Sequence, residues 1–201
     1  MWSKLIGSFR ERTETSVQII AKEYYDLNNC NYHNWQHILD CYDYLEKNQV
    51  TYDEDLDYAV LHHDIVYDDK PEKEQRSADL MLELYPGRSS AAEIIMATAD
   101  HSILKRDLFA VHMIKADLHQ LCDPAQVVTN YVKLMDESKA LYNVNDLDFA
   151  TANIKFLRGM RETVFENSAI DNDVKFWNGV LAGIDLTIHI SNGLISSLTK
   201  I

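Results

Sequence analysis

"LHHDIVYDD", Leu61 to Asp69, places two imidazoles and three carboxylates within nine consecutive positions. Groups that each bind a proton or a metal are costly to bury unless something pairs with them. Just upstream, Leu56, Ala59, Val60 and His63 recur at helical spacing, with Asp53 placed to open the helix. His63 therefore lies on the apolar stripe, and Asp64 follows about 100° further around the axis. Near a helix end, two such side chains can converge on one ion.

Working outward, the same period covers most of the chain. Thr15 to Leu27 carries Val17, Ile20, Ala21 and Tyr24 on one side. Asn34 is placed to cap a helix that turns Ile38, Cys41, Tyr42 and Leu45 inward. Pro71 suits a first helical position, with the helix running to about Leu84. Tyr85-Pro86-Gly87 is a break. Ser90 and Glu93 form a capping-box pattern that would open a helix from Ala91 to Asp100. Arg106 to Leu121 follows, then a segment opened by Pro124, with two or three helices filling residues 125–200, the last starting near Asn172. The expectation is an all-α fold: one domain over 1–201, its motif-bearing core at about 32–121, completed by C-terminal helices at about 125–200.

Composition agrees with a helical chain. Only six Gly and three Pro punctuate 201 residues, few for a sheet protein with many tight turns. At this length roughly 70% of the unfolded surface is buried on folding. A formal net charge of -13 repels phosphate backbones and anionic membranes, so neither nucleic acid nor a membrane surface is an expected partner. Cys30, Cys41 and Cys122 are odd in number and widely spaced, which predicts reduced thiols and a cytoplasmic protein. The opening "MWSKLIGSFRERTE" has too short an apolar run for a signal peptide. No stretch approaches about 18 apolar residues, so no membrane span is expected.

Seven of the eight histidines fall between residues 33 and 119. Asp117 sits among Met113, Ile114 and Leu121, and a carboxylate in such company should be paired, hydrogen-bonded or metal-bound. "YHNWQH" sets His33 and His37 four apart; if Asn34 is the cap, His33 lies outside the helix and the two need not share a target. His37, His63, Asp64 and Asp117 together offer two imidazoles and two carboxylates. That nitrogen and oxygen set suits a divalent transition metal (Mn, Co, Ni, Fe or Zn), with Mg also admitted. Without usable thiolates, a structural Cys-type zinc site is not expected.

A lone His, an adjacent His-Asp pair and a distant Asp, in that order, resemble the HD phosphohydrolase superfamily, specifically its small stand-alone metal-dependent members. The resemblance is carried by Tyr32-His33-Asn34 with His37, by His63-Asp64-Ile65-Val66-Tyr67-Asp68, by Glu74, Ser77 and Ala78, by Thr98 and His101, and by Ala116-Asp117-Leu118. It implies a compact helical domain whose metal is held by His37, His63, Asp64 and Asp117, and hydrolysis of phosphate esters, often of nucleotides. In the alarmone-hydrolase branch a Glu-Asp pair follows the His-Asp motif. Here that dipeptide is Tyr67-Asp68, so that assignment is not supported.

Within this reading, Glu74 is the expected catalytic carboxylate and Asp68 its partner. His33, His101, Lys105 and Arg106 are expected to contact a small phosphorylated substrate. His62 stands where related chains look aromatic, and it is read as a stacking group or as one that supports the metal ligands from behind. Two other classes stay open: a non-catalytic metal-binding interaction module and a di-iron oxygenase of the same fold. A homo-oligomer built on the C-terminal helices also stays open.

Overall fold

Asn34, Asp53, Asp123, Asn145 and Asp173 each place a side-chain oxygen on the first free backbone N–H groups of a helix. These short polar side chains satisfy donors that the helix itself cannot, and they mark where five of its helices begin. The computed structural model describes residues 16–200, so the reading of the first fourteen residues lies outside the described part. Among the described residues the chain is all-α: α1 (Ser16–Asn28), α2 (Trp35–Lys47), α3 (Glu54–His62), α4 (Lys73–Leu84), α5 (Ser89–Met96), α6 (Leu108–Leu118), a 3₁₀ turn (His119–Cys122), α7 (Pro124–Tyr142), α8 (Asp146–Ile170) and α9 (Val174–Leu198).

The described chain falls into two compact units, residues 16–99 with 105–117, and residues 100–104 with 118–200. In the first, α3 is the hub, packing on α1, α2, α4 and α5. Leu56, Ala59, Val60 and Leu61 are fully buried, while the acidic first turn keeps Glu54 exposed. Burying each of its Leu and Val side chains contributes roughly 1.5–3 kcal/mol before entropy is counted. The expected inward face of α2 is borne out: Ile38, Cys41, Tyr42 and Leu45 are buried, and His37 is buried beside them.

Two expected helix starts are displaced. The fourth helix opens at Lys73, not Pro71, because Glu72 takes a left-handed conformation (φ 59°) that no helix can continue through. The Ser90–Glu93 capping box is not formed. Arg88 occupies the cap position without a side-chain bond there, and its guanidinium instead reaches Glu54 at 2.6 Å and Asp55 at 3.3 Å and lies 4.4 Å from the Tyr58 ring centroid. The following helix is short and ends at Met96.

In the second unit, α8 and α9 form a hairpin, tied by Arg161 to Asp185 at 2.8 Å. Against the 3₁₀ turn, α9 approaches so closely that a Cβ on Gly183 would stand 2.0 Å from the Leu121 carbonyl oxygen. Only glycine permits that distance. This last helix also corrects an expectation: its 25 residues are long and apolar enough, by length and composition, to cross a membrane. Its buried side (Trp177, Val180, Gly183, Ile184) packs within the unit, and Asp185 interrupts the apolar run.

Candidate metal centre

The first turn of α2 carries His37. Asn34 Oδ1 accepts from the Gln36 N–H at 2.9 Å and the His37 N–H at 3.4 Å, which fixes that turn and aims the imidazole at the end of α3. His63 is the residue that closes α3. Its Nδ1 lies 3.1 Å from the Val60 carbonyl oxygen, so in the neutral ring Nδ1 carries the proton and Nε2 is the nitrogen turned to the site. Asp64 follows directly. Asp117, at the other end of the unit's sequence, enters from the last turn of α6.

Four polar atoms meet. His37 Nε2 lies 3.2 Å from His63 Nε2, 3.1 Å from Asp117 Oδ1 and 3.7 Å from Asp64 Oδ2. His63 Nε2 lies 3.2 Å from Asp64 Oδ2 and 3.8 Å from Asp117 Oδ1. The triangle of the two nitrogens and the Asp64 oxygen has a circumradius of about 2.0 Å, as does the triangle with the Asp117 oxygen. A point about 2.0–2.2 Å from such atoms is where a zinc-like cation sits among imidazole and carboxylate ligands. The imidazoles form the floor, each 1% exposed, and the carboxylates form the rim, at 11% for Asp64 and 17% for Asp117. Any further ligand must therefore arrive from the carboxylate side.

The charges fit this arrangement. Burial lowers the pKa of His63, but the Asp64 carboxylate beside it, helped by Asp117 and the Val60 carbonyl, outweighs burial and raises it to about 9. Burial also works to raise Asp64, yet the His63, His33 and His37 imidazoles hold it well below the usual carboxylate range. Each group stabilises the charged form of the other.

A fifth potential donor stands behind His37 on the same helix face. Cys41 Sγ is 3.9 Å from His37 Nε2 and donates to the Ala116 carbonyl oxygen at 3.5 Å. Burial first, then the charges of Asp117 and Asp64, pushes this thiol's pKa up. His37, Cys41 and His63 form a buried group that could hold a metal ion. The sequence reading missed Cys41 as a donor, although its offset of four from His37 is the signal that would have found it. The carboxylate oxygens stand closer to His37 Nε2 than the sulfur does, which makes them the better-placed partners for a hard cation.

The other expected site residues are distributed unevenly. His33 lies just outside α2, as the Asn34 cap requires. It is stacked on Tyr67 with ring centroids 3.8 Å apart, and Lys73 Nζ covers Tyr67 at 3.6 Å from its centroid. Both faces of Tyr67 are thus occupied. Glu74 is half-buried in the first turn of α4. Asp68 uses both oxygens on Arg76, at 2.6 and 2.8 Å, and also accepts from the Lys70 N–H. The Arg76 hydrogen bonds hold its carboxyl below the usual range. A carboxylate so engaged secures the loop after the His-Asp motif. The same pairing occupies Arg76, which also donates to the Pro71 and Lys70 carbonyls.

Lys105 and Arg106 precede α6, whereas Asp117 is near its far end, about 15 Å along the axis. They therefore stand at the opposite end of α6 from Asp117. His101 belongs to the second unit, where its carbonyl accepts from Asn167 Nδ2 at 2.7 Å. Ser77, one of the resemblance-bearing residues, accepts from the Val66 N–H at 3.1 Å and anchors the same loop as Asp68. His62 is fully buried between Tyr58 and Tyr85, parallel to the first and edge-on to the second, which agrees with its reading as a stacking group.

No family model matches the chain, and no curated protein or solved structure does either.

Proposed function

We propose that the chain is a metal-dependent phosphohydrolase of the HD type, acting on a small phosphorylated substrate, most naturally a nucleotide. The observation that supports this reading is the meeting of His37, His63, Asp64 and Asp117 from three separated segments, with spacing that fits one divalent cation. The donor set of two nitrogens and two oxygens suits Mn, Fe, Co, Ni or Zn.

When bound, a divalent cation supplies offset of phosphate charge and activation of water at neutral pH. The chain's own residues do the rest. His63, donating through Nδ1 to Val60, presents Nε2 as the nitrogen that gives up its proton to ligate. Asp64 and Asp117 set the direction of approach, because only their side of the site is exposed. His33, held flat by Tyr67, lines that approach and offers an imidazole edge to a phosphate oxygen. Glu74 is the carboxylate proposed to orient water or protonate the leaving oxygen. Asp68 is proposed to position the loop through Arg76 rather than to act on substrate.

The test is phosphate release from a panel of nucleoside mono-, tri- and cyclic phosphates with Mn²⁺ or Co²⁺ added to metal-free protein. Metal-dependent release that disappears in His63→Ala supports the reading. Metal bound with no release from any phosphate ester would favour a non-catalytic binding module.

A further inference from the structure

We infer that His37 and His63 serve two mutually exclusive cation positions, and that Cys41 makes the inner one a site for thiophilic metals. This rests on the metal centre proposed above and concerns which ion it takes. Cys41, His37 and His63 are each at most 2% exposed, and their ligating atoms all lie within 4.8 Å of one another. With a metal–sulfur arm of about 2.3 Å and a metal–nitrogen arm of about 2.1 Å, the 3.9 Å between Sγ and His37 Nε2 corresponds to an angle of about 125°. That is close to trigonal or tetrahedral values, so the sulfur is in reach without a backbone shift.

Cys41 Sγ has His37 Nε2 and the Ala116 carbonyl as polar neighbours, and neither carboxylate is among them. An ion that bonds the sulfur therefore moves inward, away from Asp64 and Asp117. Hard cations such as Mn²⁺ and Mg²⁺ favour the oxygens, and soft ones such as Cd²⁺ favour the sulfur. In the inward position one S–H bond breaks, one metal–sulfur bond forms, and the proton passes to solvent. Sulfur keeps its oxidation level. The rim carboxylates are then without their ion, so thiophilic cations act as inhibitors that compete with Mn²⁺.

Metal-free full-length protein carrying Cys30→Ser and Cys122→Ser, titrated with Cd²⁺, should develop a sulfur-to-cadmium charge-transfer absorption that saturates at one ion per chain. Adding Cys41→Ser should abolish the band and weaken Cd²⁺ binding about tenfold or more, with Mn²⁺ affinity held within about twofold. Cd²⁺ bound without the band overturns the inference, and that result needs no Cys41 variant to fold. Equal losses of Mn²⁺ and Cd²⁺ affinity in Cys41→Ser overturn it as well. Mn²⁺ binding with no cadmium–sulfur band sinks this inference and leaves the phosphohydrolase reading intact. Binding of neither ion sinks both.

Discussion

His37 Nε2 lies 3.1 Å from Asp117 Oδ1, across eighty positions of sequence. His37 is fixed by the Asn34 cap, Asp117 by a helix buried on most sides, and between them the end of α3 delivers His63 and Asp64. Helices hold two of the four donors and His63 caps a third helix, which suits a site that must keep sub-ångström geometry.

The first prediction concerns proton balance. In the metal-free protein His63 is protonated below about pH 9, and a protonated imidazole cannot ligate. Uptake of Mn²⁺ at neutral pH should therefore release about one proton, and affinity should climb with pH until that value is passed. Calorimetric titrations in two buffers of different ionisation enthalpy measure the release. Identical apparent enthalpies would contradict it.

A second follows from His62, whose burial lowers its pKa to about 4 despite its hydrogen bond to the Tyr58 carbonyl. The unfolded chain takes up this proton near pH 6.5, the fold only near pH 4. Stability should thus fall as pH drops through that window, by about 3 kcal/mol in total. His63 has the opposite sign: its contribution is present below about pH 6.5 and is lost as pH rises toward 9. His62→Phe, which keeps the aromatic packing, should flatten the acid limb in urea unfolding of the metal-free protein. An unchanged slope between about pH 6.5 and pH 5 would refute the assignment.

Carboxylate roles give a third. Glu74→Gln should retain metal and lose most turnover, on the order of the 10²–10⁴-fold that proton-transfer groups contribute. Asp68→Asn and Arg76→Gln should resemble each other, with modest effects that do not add in the double variant. Asp68→Asn falling as far as Glu74→Gln, with Arg76→Gln silent, would return the catalytic role to Asp68.

Packing gives a fourth. Gly183→Ala pushes a methyl group into the Leu121 backbone and should cost at least 1–3 kcal/mol, the usual range for overpacking. Thermal unfolding reads this directly, and an unshifted midpoint would show that the 3₁₀ turn yields freely.

Much of this was legible in the sequence because caps and apolar stripes are local. Asn34 and Asp53 begin their helices as expected, and the inward face of α2 follows from its period. Pro71 and Ser90 misled for a physical reason. Each met a local rule, but Glu72 adopts a left-handed turn after Pro71, and Arg88, drawn to Glu54 and Asp55, takes the cap position before Ser90. The His-Asp pair and the distant Asp117 were legible as chemistry. Their meeting, and the presence of Cys41 beside it, depend on how α2, α3 and α6 cross, which periodicity does not encode. Lys105 and Arg106 were drawn to the site by charge and by closeness to His101 in sequence, and they stand at the opposite end of α6 from Asp117.

The central claim is that four side chains share one cation, and Asp117 is its most exposed member. The direct test is Mn²⁺ binding to metal-free protein, followed by electron paramagnetic resonance, in the natural chain and in Asp117→Asn. One ion per chain, weakened about tenfold or more by the substitution while the helical spectrum is retained, is the expected result. Equal affinity in the two proteins would contradict the account.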